Sequence, residues 1–314
     1  MLLHMRIRDL LSAAVVTALA AALAWVPVAG AESSSVATDL LIGAAKTESA
    51  AYLQYFGYAD VAARSRRSDL ADVWRTVGEV EHQDHWTHET TLAGLYSGSD
   101  NVANLKDAIP QARETAKADR RLAAKAPKAS DAAVQLEAVA RREDAAADLL
   151  ARALQALQGH GRVPAAPAVK QVPITVSAKP RYSGAFYADL TGSSDSALEM
   201  AAWNWAEYQF LAKTAVDTGQ ADLAALLSGL EAQERYQNWP AISNAAGYTN
   251  SNAANLRTSI ASEQGAIDMY THYARQAEQA GDSSVSGVFL GIKADEAGHR
   301  KAFTTELNQL PRGH

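Results

Sequence analysis

The chain has 314 residues, of which 48% are hydrophobic and 20% are charged, a composition typical of a packed globular protein rather than a disordered one. Its formal net charge is −6 and it has no basic run, which argues against nucleic-acid binding. The chain has no cysteine. This excludes disulfides, iron–sulfur clusters, thiolate zinc sites and cysteine nucleophiles.

The first 31 residues have the pattern of a secretory signal peptide. Arg6 and Arg8 form a positive segment, a long apolar run follows, and Ala29-Gly30-Ala31 is a small-residue cleavage site. We expect cleavage before Glu32 and a mature protein that is secreted or held in the cell envelope. The alternative is that this segment stays in place as an uncleaved membrane anchor. No later apolar run is long enough to span a bilayer.

Apolar residues recur at helical spacing through most of the mature chain, which predicts an all-α protein. The predicted helices span residues 36–65, 68–95, 102–125, 130–158, 194–218, 220–238, 252–280 and 283–308. The segment between the fourth and fifth helices contains four prolines and predicts an extended linker over residues 159–193. We therefore expect two four-helix bundles of the ferritin-like kind in tandem, residues 32–158 and 194–310.

The two halves carry a repeated segment. Asn101–Ile109 reads NVANLKDAI and Asn252–Ile260 reads NAANLRTSI, and each opens the third predicted helix of its half. A repeat period of about 150 residues indicates duplication of a whole domain rather than a solenoid of short repeats.

Several acidic residues fall on the apolar faces of these helices when each residue turns the helix by about 100°. In the second helix, the residues on or beside the core face are Glu81, Asp84, His85 and His88. Glu79 falls nearly opposite that face and Glu89 at its edge, and both are predicted surface residues. In the other helices, the residues on apolar stripes are Glu48, Glu143, Glu234, Glu263, Glu296 and His299.

An unpaired ionised carboxylate in a protein core costs several kcal/mol. Few lysines or arginines share these faces, so a bound metal ion is the more economical source of positive charge. Glu296 and His299 are spaced i, i+3, as in di-iron helical bundles. The alternative is that these acids lie near bundle ends and face water. The predicted metal ligands are Glu48, Glu81, Asp84, His85, Glu143, Glu234, Glu263, Glu296 and His299.

These segments resemble rubrerythrin, a ferritin-like di-iron family. The similar segments are Glu48–Ala59, Glu79–Asp84, Asn255–Tyr270 and Phe289–His299. The resemblance implies a four-helix bundle that binds two iron ions between bridging glutamates and reacts with O2 or peroxide. It places Glu81 at a ligand position and puts Asp84 where the family has histidine.

The chain also departs from the family pattern. Residues that replace expected ligands are Ala112, Ala146, Ala201 and Gln237, and Ala266 replaces an additional glutamate of the family's third helix. The family's iron–sulfur domain requires four cysteines and is absent from this chain. Any peroxide reduction would therefore need an external electron donor.

Three functions remain open from the sequence. The first is an exported di-metal protein, with iron first and manganese or zinc as alternatives, that oxidises Fe(II) or reduces peroxide. The second is a non-catalytic exported bundle that binds a partner and retains fragments of an old site. The third is zinc or copper capture by His82, His85 and His88. A homo-oligomer is compatible with all three.

The arrangement of the halves also remains open. Consecutive helices usually pack together, which favours one bundle per half. However, the best ligands lie in the first two and last two helices. If those two hairpins packed together, they would complete one six-ligand site, and the Glu81 and Glu296 carboxylates would lie about 4–7 Å apart.

Overall fold

The computed structural model describes residues 35–95, 100–192 and 195–310. These residues form helices, turns and extended connections without a strand, so the predicted all-α fold is confirmed. The predicted signal peptide, residues 1–31, lies outside the described residues. None of the helices in the described ranges has the length and apolar character needed to cross a membrane.

The first half contains α1 (Ser35–Arg64), α2 (Ser68–Val80, Glu81–Trp86 and Thr87–Leu92), α3 (Asn101–Lys125) and α4 (Asp131–Leu157). The second half contains α5 (Gly184–Thr191), α6 (Ala197–Asp217), α7 (Ala221–Gln233, Glu234–Asn238 and Trp239–Ala246), α8 (Asn252–Gln279) and α9 (Ser283–Gln309). The short helix α5 lies inside the predicted linker, and α7 continues past the predicted end at residue 238.

α2 and α7 each contain one π-helical segment, Glu81–Trp86 and Glu234–Asn238. A π turn holds one residue more than an α turn, so residues beyond it are rotated by about 100° from their α-helical position. The two segments occupy corresponding places in the two halves, which supports the predicted duplication. The predicted surface position of Glu89 is therefore wrong, whereas His85 lies in the core as predicted.

The repeated sequence segments open α3 and α8, as predicted. The Asp100 side chain accepts hydrogen bonds from the backbone N–H groups of Val102 and Ala103 at the start of α3. Ser251 does the same for Ala254 at the start of α8. These caps satisfy N–H groups that have no partner inside the helix and fix where each helix begins.

One bundle combines helices from the two ends of the chain. α1 and α2 pack against α8 and α9, and we call this four-helix unit the outer-hairpin bundle. In its core, Tyr55 of α1 lies in one cluster with Leu256 of α8 and Phe303 of α9. The expectation of one contiguous bundle per half, residues 32–158 and 194–310, does not describe this packing.

α3, α4, α6 and α7 pack together in a second unit, the inner-hairpin bundle. Its core includes Leu105, Leu150, Leu211 and Leu227, one from each of the four helices. Consecutive helices pair as hairpins in both bundles, and a long extended segment connects α4 to α5 and runs along α7. Backbone N–H groups of Val172 and Ser177 in that segment donate to carbonyl oxygens of Tyr236 and Thr249, at 2.8 Å in both cases.

The two bundles meet where α1 packs against α6 and α7. Tyr52 stacks on Trp205 with ring centroids 4.3 Å apart. Gly57 of α1 lies directly against the Trp239 ring of α7. A Cβ at Gly57 would lie 2.8 Å from Cη2 and 2.9 Å from Cζ3 of this tryptophan, whose side chain is buried.

We expect Gly57→Ala to lower the free energy of unfolding by about 1–3 kcal/mol, because the buried Trp239 ring cannot move away without disturbing the core. The control is Gly287→Ala in α9, where an added Cβ meets open space. That change should raise stability by about 0.5–1 kcal/mol through helix propensity. Urea unfolding of both variants measures the difference, and equal stabilisation by both would contradict the packing described for Gly57.

Candidate metal centre

His85 of α2 and His299 of α9 face each other in the core of the outer-hairpin bundle, with ring centroids 5.9 Å apart. The His85 side chain is 1% exposed and the His299 side chain is 12% exposed. The π segment places His85 in the core, because its extra residue rotates the helix beyond Glu81. The i, i+3 spacing from Glu296 places His299 on the same face of α9.

Nδ1 of each histidine is surrounded by oxygens from three carboxylates. The distances from His85 Nδ1 are 3.0 Å to Glu81 Oε2, 3.3 Å to Glu296 Oε1 and 3.6 Å to Glu48 Oε2. The distances from His299 Nδ1 are 3.1 Å to Glu81 Oε1, 3.6 Å to Glu296 Oε2 and 3.8 Å to Glu263 Oε2. Two carboxylates are common to both histidines.

Glu81 and Glu296 present one oxygen to His85 and the other to His299. Glu48 adds a carboxylate on the His85 side only, and Glu263 adds one on the His299 side only. In each of these two groups, one potential ligand atom from every member lies within 4.8 Å of the others. The Glu81–Glu296 separation therefore agrees with the composite site, in which the first and last hairpins form a single centre.

Tyrosine hydroxyls hold the two unshared carboxylates. The Tyr55 hydroxyl donates a hydrogen bond to Glu263. The Tyr270 hydroxyl donates to Glu48 and lies 2.8 Å from Oε1 of Glu89. Both tyrosines are at most 1% exposed. They fix the carboxylate orientations on opposite sides of the centre, as hydrogen bonds behind metal ligands commonly do.

The protonation of the metal-free centre follows from these contacts. Burial alone would lower the pKa of His299, but the nearby carboxylates of Glu81 and Glu296 raise it to about 10. Burial would also lower the pKa of His85, but the surrounding carboxylates raise it well above the usual range. Burial, followed by the Glu296 contact, raises the pKa of Glu263. Without metal, protons therefore supply the positive charge.

The donor atoms present fit a pair of metal ions. His299 Nδ1 and Glu296 Oε1 are buried and lack a hydrogen bond within the described part of the chain, although each has oppositely charged partners nearby. In each group one potential ligand atom of every member lies within 4.8 Å of the others. The set offers one imidazole nitrogen and three carboxylates to each of two ions, and the carboxylates of Glu81 and Glu296 are shared.

Asp84 was predicted at the position of the family's histidine, but the structure places His85 there. In a regular α-helix the residue three after Glu81 shares its face, whereas the π segment moves the fourth residue to that place. The Asp84 side chain is 35% exposed and pairs with His88 at 2.8 Å. Asp84 lies at the edge of the centre, outside the two shared groups.

Glu89 was predicted on the surface, and this is wrong. It is 0% exposed, one oxygen contacts Tyr270, and the other lacks a hydrogen bond. Burial and the nearby charge of Glu48 raise its pKa well above the usual range. The rotation that brings His85 inward also brings Glu89 inward.

Glu143 and Glu234 lie in the inner-hairpin bundle, at the places that Glu296 and Glu81 occupy in the other bundle. The Asn238 amide donates at 2.9 Å to both carboxylates. Asn238 corresponds to His85 and lies in the corresponding π segment, so it, rather than Gln237, takes the histidine position. No group of three potential ligands among the described residues includes Glu143 or Glu234.

The inner-hairpin bundle stabilises its buried carboxylates without a histidine. Burial raises the pKa of Glu143 to about 7, and burial with the Glu143 charge raises that of Glu234 well above its usual range. Arg142 donates to the Asn238 side-chain oxygen, and Asn204 donates to Glu143 at 3.2 Å. The amide hydrogens of Asn238 thus occupy the space between two carboxylates that a cation would otherwise bridge.

The predicted zinc or copper site of His82, His85 and His88 is not formed. His82 faces away from the centre and contacts Gln209 and the Trp205 ring, whose centroid is 4.5 Å away. Burial lowers its pKa to about 4. His82 belongs to no metal-ligand group in the described ranges.

Comparison with known proteins agrees with this geometry. Residues 254–314, which contain most of α8 and all of α9 with Glu263, Glu296 and His299, match the rubrerythrin family model. Searches of curated proteins and of solved structures gave no match. The family match supports the assignment of this chain to the rubrerythrin, ferritin-like family, and the buried carboxylate and histidine cluster is suited to metal binding.

Proposed function

We propose that the protein is an exported di-iron carboxylate protein that oxidises Fe(II) or reduces peroxide. The observation that carries the proposal is the sharing of Glu81 and Glu296 between two histidine-containing groups. Two ions bound there would each have a nitrogen ligand and three carboxylates, two of them in common. Shared carboxylates of this kind are how helical bundles hold two metal ions close together.

The mixed nitrogen and oxygen ligands favour a first-row transition metal over calcium or magnesium. Iron is our first choice, with manganese or zinc as alternatives. Bound iron would supply the redox chemistry with O2 or peroxide. The chain binds and orients it: Tyr55 and Tyr270 hold the unshared carboxylates, and the buried core excludes bulk water. Because the chain has no cysteine, the reducing electrons come from outside it.

Glu296→Gln tests the metal centre, and Glu143→Gln is its matched control at the corresponding position of the inner-hairpin bundle. We expect the wild-type protein to hold two ions per chain after loading with Fe(II) and desalting. Glu296→Gln removes a shared carboxylate ligand and should weaken binding by at least the roughly 10–100-fold typical of losing a residue behind the ligands, with a matching loss of Fe(II) oxidation. Glu143→Gln should retain both ions. Elemental analysis and Fe(II) oxidation rates measure these outcomes.

Glu79→Ala provides a further control, because Glu79 is exposed on the same helix as Glu81. Equal metal content in Glu296→Gln, Glu143→Gln and Glu79→Ala would show that the proposed ligands are wrong. A wild-type protein that binds no metal would instead support the non-catalytic, partner-binding alternative.

Metal binding should release protons and become tighter as pH rises. The raised pKa values mean that His299 and His85 hold protons at pH 7 in the metal-free protein, whereas metal ligation requires neutral imidazole. We expect about two protons, one from each histidine, to be released per chain when two ions bind near pH 7. Calorimetry in buffers of different ionisation enthalpy measures the number, and a buffer-independent enthalpy would be inconsistent with this site.

The export proposal rests on the N-terminal segment of Arg6, Arg8, the apolar run and Ala29-Gly30-Ala31. We expect the protein recovered outside the cytoplasm to begin at Glu32. Mass spectrometry of the N-terminal peptide from exported and membrane fractions checks this. Recovery of an intact chain from the membrane fraction would favour the anchor instead.

A further inference from the structure

His85 has a second face that the buried centre does not use. Its Nδ1 points to Glu48, Glu81 and Glu296, whereas its Nε2 lies 3.6 Å from Asp295 Oδ2. Asp84, Asp295 and His85 form a third group whose potential ligand atoms lie within 4.8 Å of one another. His85 Nε2 is buried and has no hydrogen-bond partner within the described part of the chain.

This outer group connects the solvent to the buried centre. The side chains of Asp84, His88 and Asp295 are 35%, 44% and 48% exposed. The His85 side chain between them and the inner carboxylates is 1% exposed. His88 Nδ1 lies 2.8 Å from Asp84 Oδ1, so it stands beside the group on the solvent side. One imidazole ring thus belongs to an exposed set of ligands and to a buried one.

We propose that Asp84, Asp295 and the Nε2 face of His85 form an outer site that captures a divalent transition-metal ion from solvent and passes it to the buried centre. This inference rests on the proposed metal-binding function. Two carboxylates and one imidazole suit the same class of ion as the inner ligands do. Exposed negative charge raises the local concentration of cations and their rate of association.

An alternative role of Asp295 is to orient the His85 ring, and the experiment must distinguish this role from metal capture. A carboxylate that accepts a hydrogen bond from the outer nitrogen of a metal-binding histidine orients that ring and strengthens metal binding at equilibrium. A site on the path of the ion acts differently. It lowers the barrier for loading and for release alike, so removing it slows both steps by the same factor and leaves the dissociation constant unchanged.

The experiment uses Co²⁺ as the probe and follows its absorption in the mature protein after rapid mixing. Loading is measured at low ionic strength, and release is measured by transfer to excess chelator. We expect the double variant Asp84→Asn/Asp295→Asn to slow loading and release each by about tenfold, with two ions per chain at saturation. The charge-matched control is Asp72→Asn/Asp268→Asn, which removes two exposed carboxylates elsewhere.

Unchanged rates in the Asp84→Asn/Asp295→Asn variant would overturn the capture site. Equal slowing in the control would also overturn it, since general electrostatic attraction would then explain the effect. Faster release with unchanged loading would assign Asp295 to orienting His85 instead. A wild-type protein that holds fewer than two Co²⁺ ions per chain at saturation would contradict the proposed function itself, whatever the rates in the variants.

Discussion

The structure of the outer-hairpin bundle depends on how the negative charge of four buried carboxylates is neutralised. Glu48, Glu81, Glu263 and Glu296 are each at most 2% exposed. Isolated ionised carboxylates would cost several kcal/mol each in such a core. His85 and His299 lie among them and carry protons in the metal-free state, whereas two divalent ions would balance the four negative charges. The tyrosine hydrogen bonds, the packing of α1 and α2 on α8 and α9, and the π segment all serve to bring these groups together.

The inner-hairpin bundle has the same helix arrangement but stabilises its buried carboxylates in a different way. It retains Glu143 and Glu234 at the corresponding positions and a π segment in the corresponding helix, and it buries a third carboxylate, Asp119. Its histidine positions are Asn238 and Ala146, and the Asn238 amide donates to Glu143 and Glu234. With fewer acids to compensate, hydrogen bonds and raised pKa values suffice. A duplicated domain can thus keep its packing while one copy loses the metal-binding residues, because hydrogen bonds and raised pKa values stabilise the buried carboxylates of that copy.

Much of the fold and of the metal centre could be predicted from the sequence. The helical periodicity predicted the all-α fold, and the acidic residues in apolar stripes included every carboxylate of the centre. Three features could not be derived from local pattern. The π segment adds one residue to a turn, which exchanged Asp84 for His85 and buried Glu89. The choice of Asn238 over Gln237 has the same cause. The pairing of the first and last hairpins depends on contacts between residues about 200 positions apart, and the preference for packing neighbouring helices pointed the other way.

The central claim is that both ends of the chain build one two-metal centre. A crystal structure of the metal-loaded protein, with anomalous scattering to locate the ions, tests this most directly. The account predicts two ions about 3.5–4 Å apart, between Glu81 and Glu296, and none beside Glu143 and Glu234. One ion in each bundle, or ions bound away from His85 and His299, would contradict it.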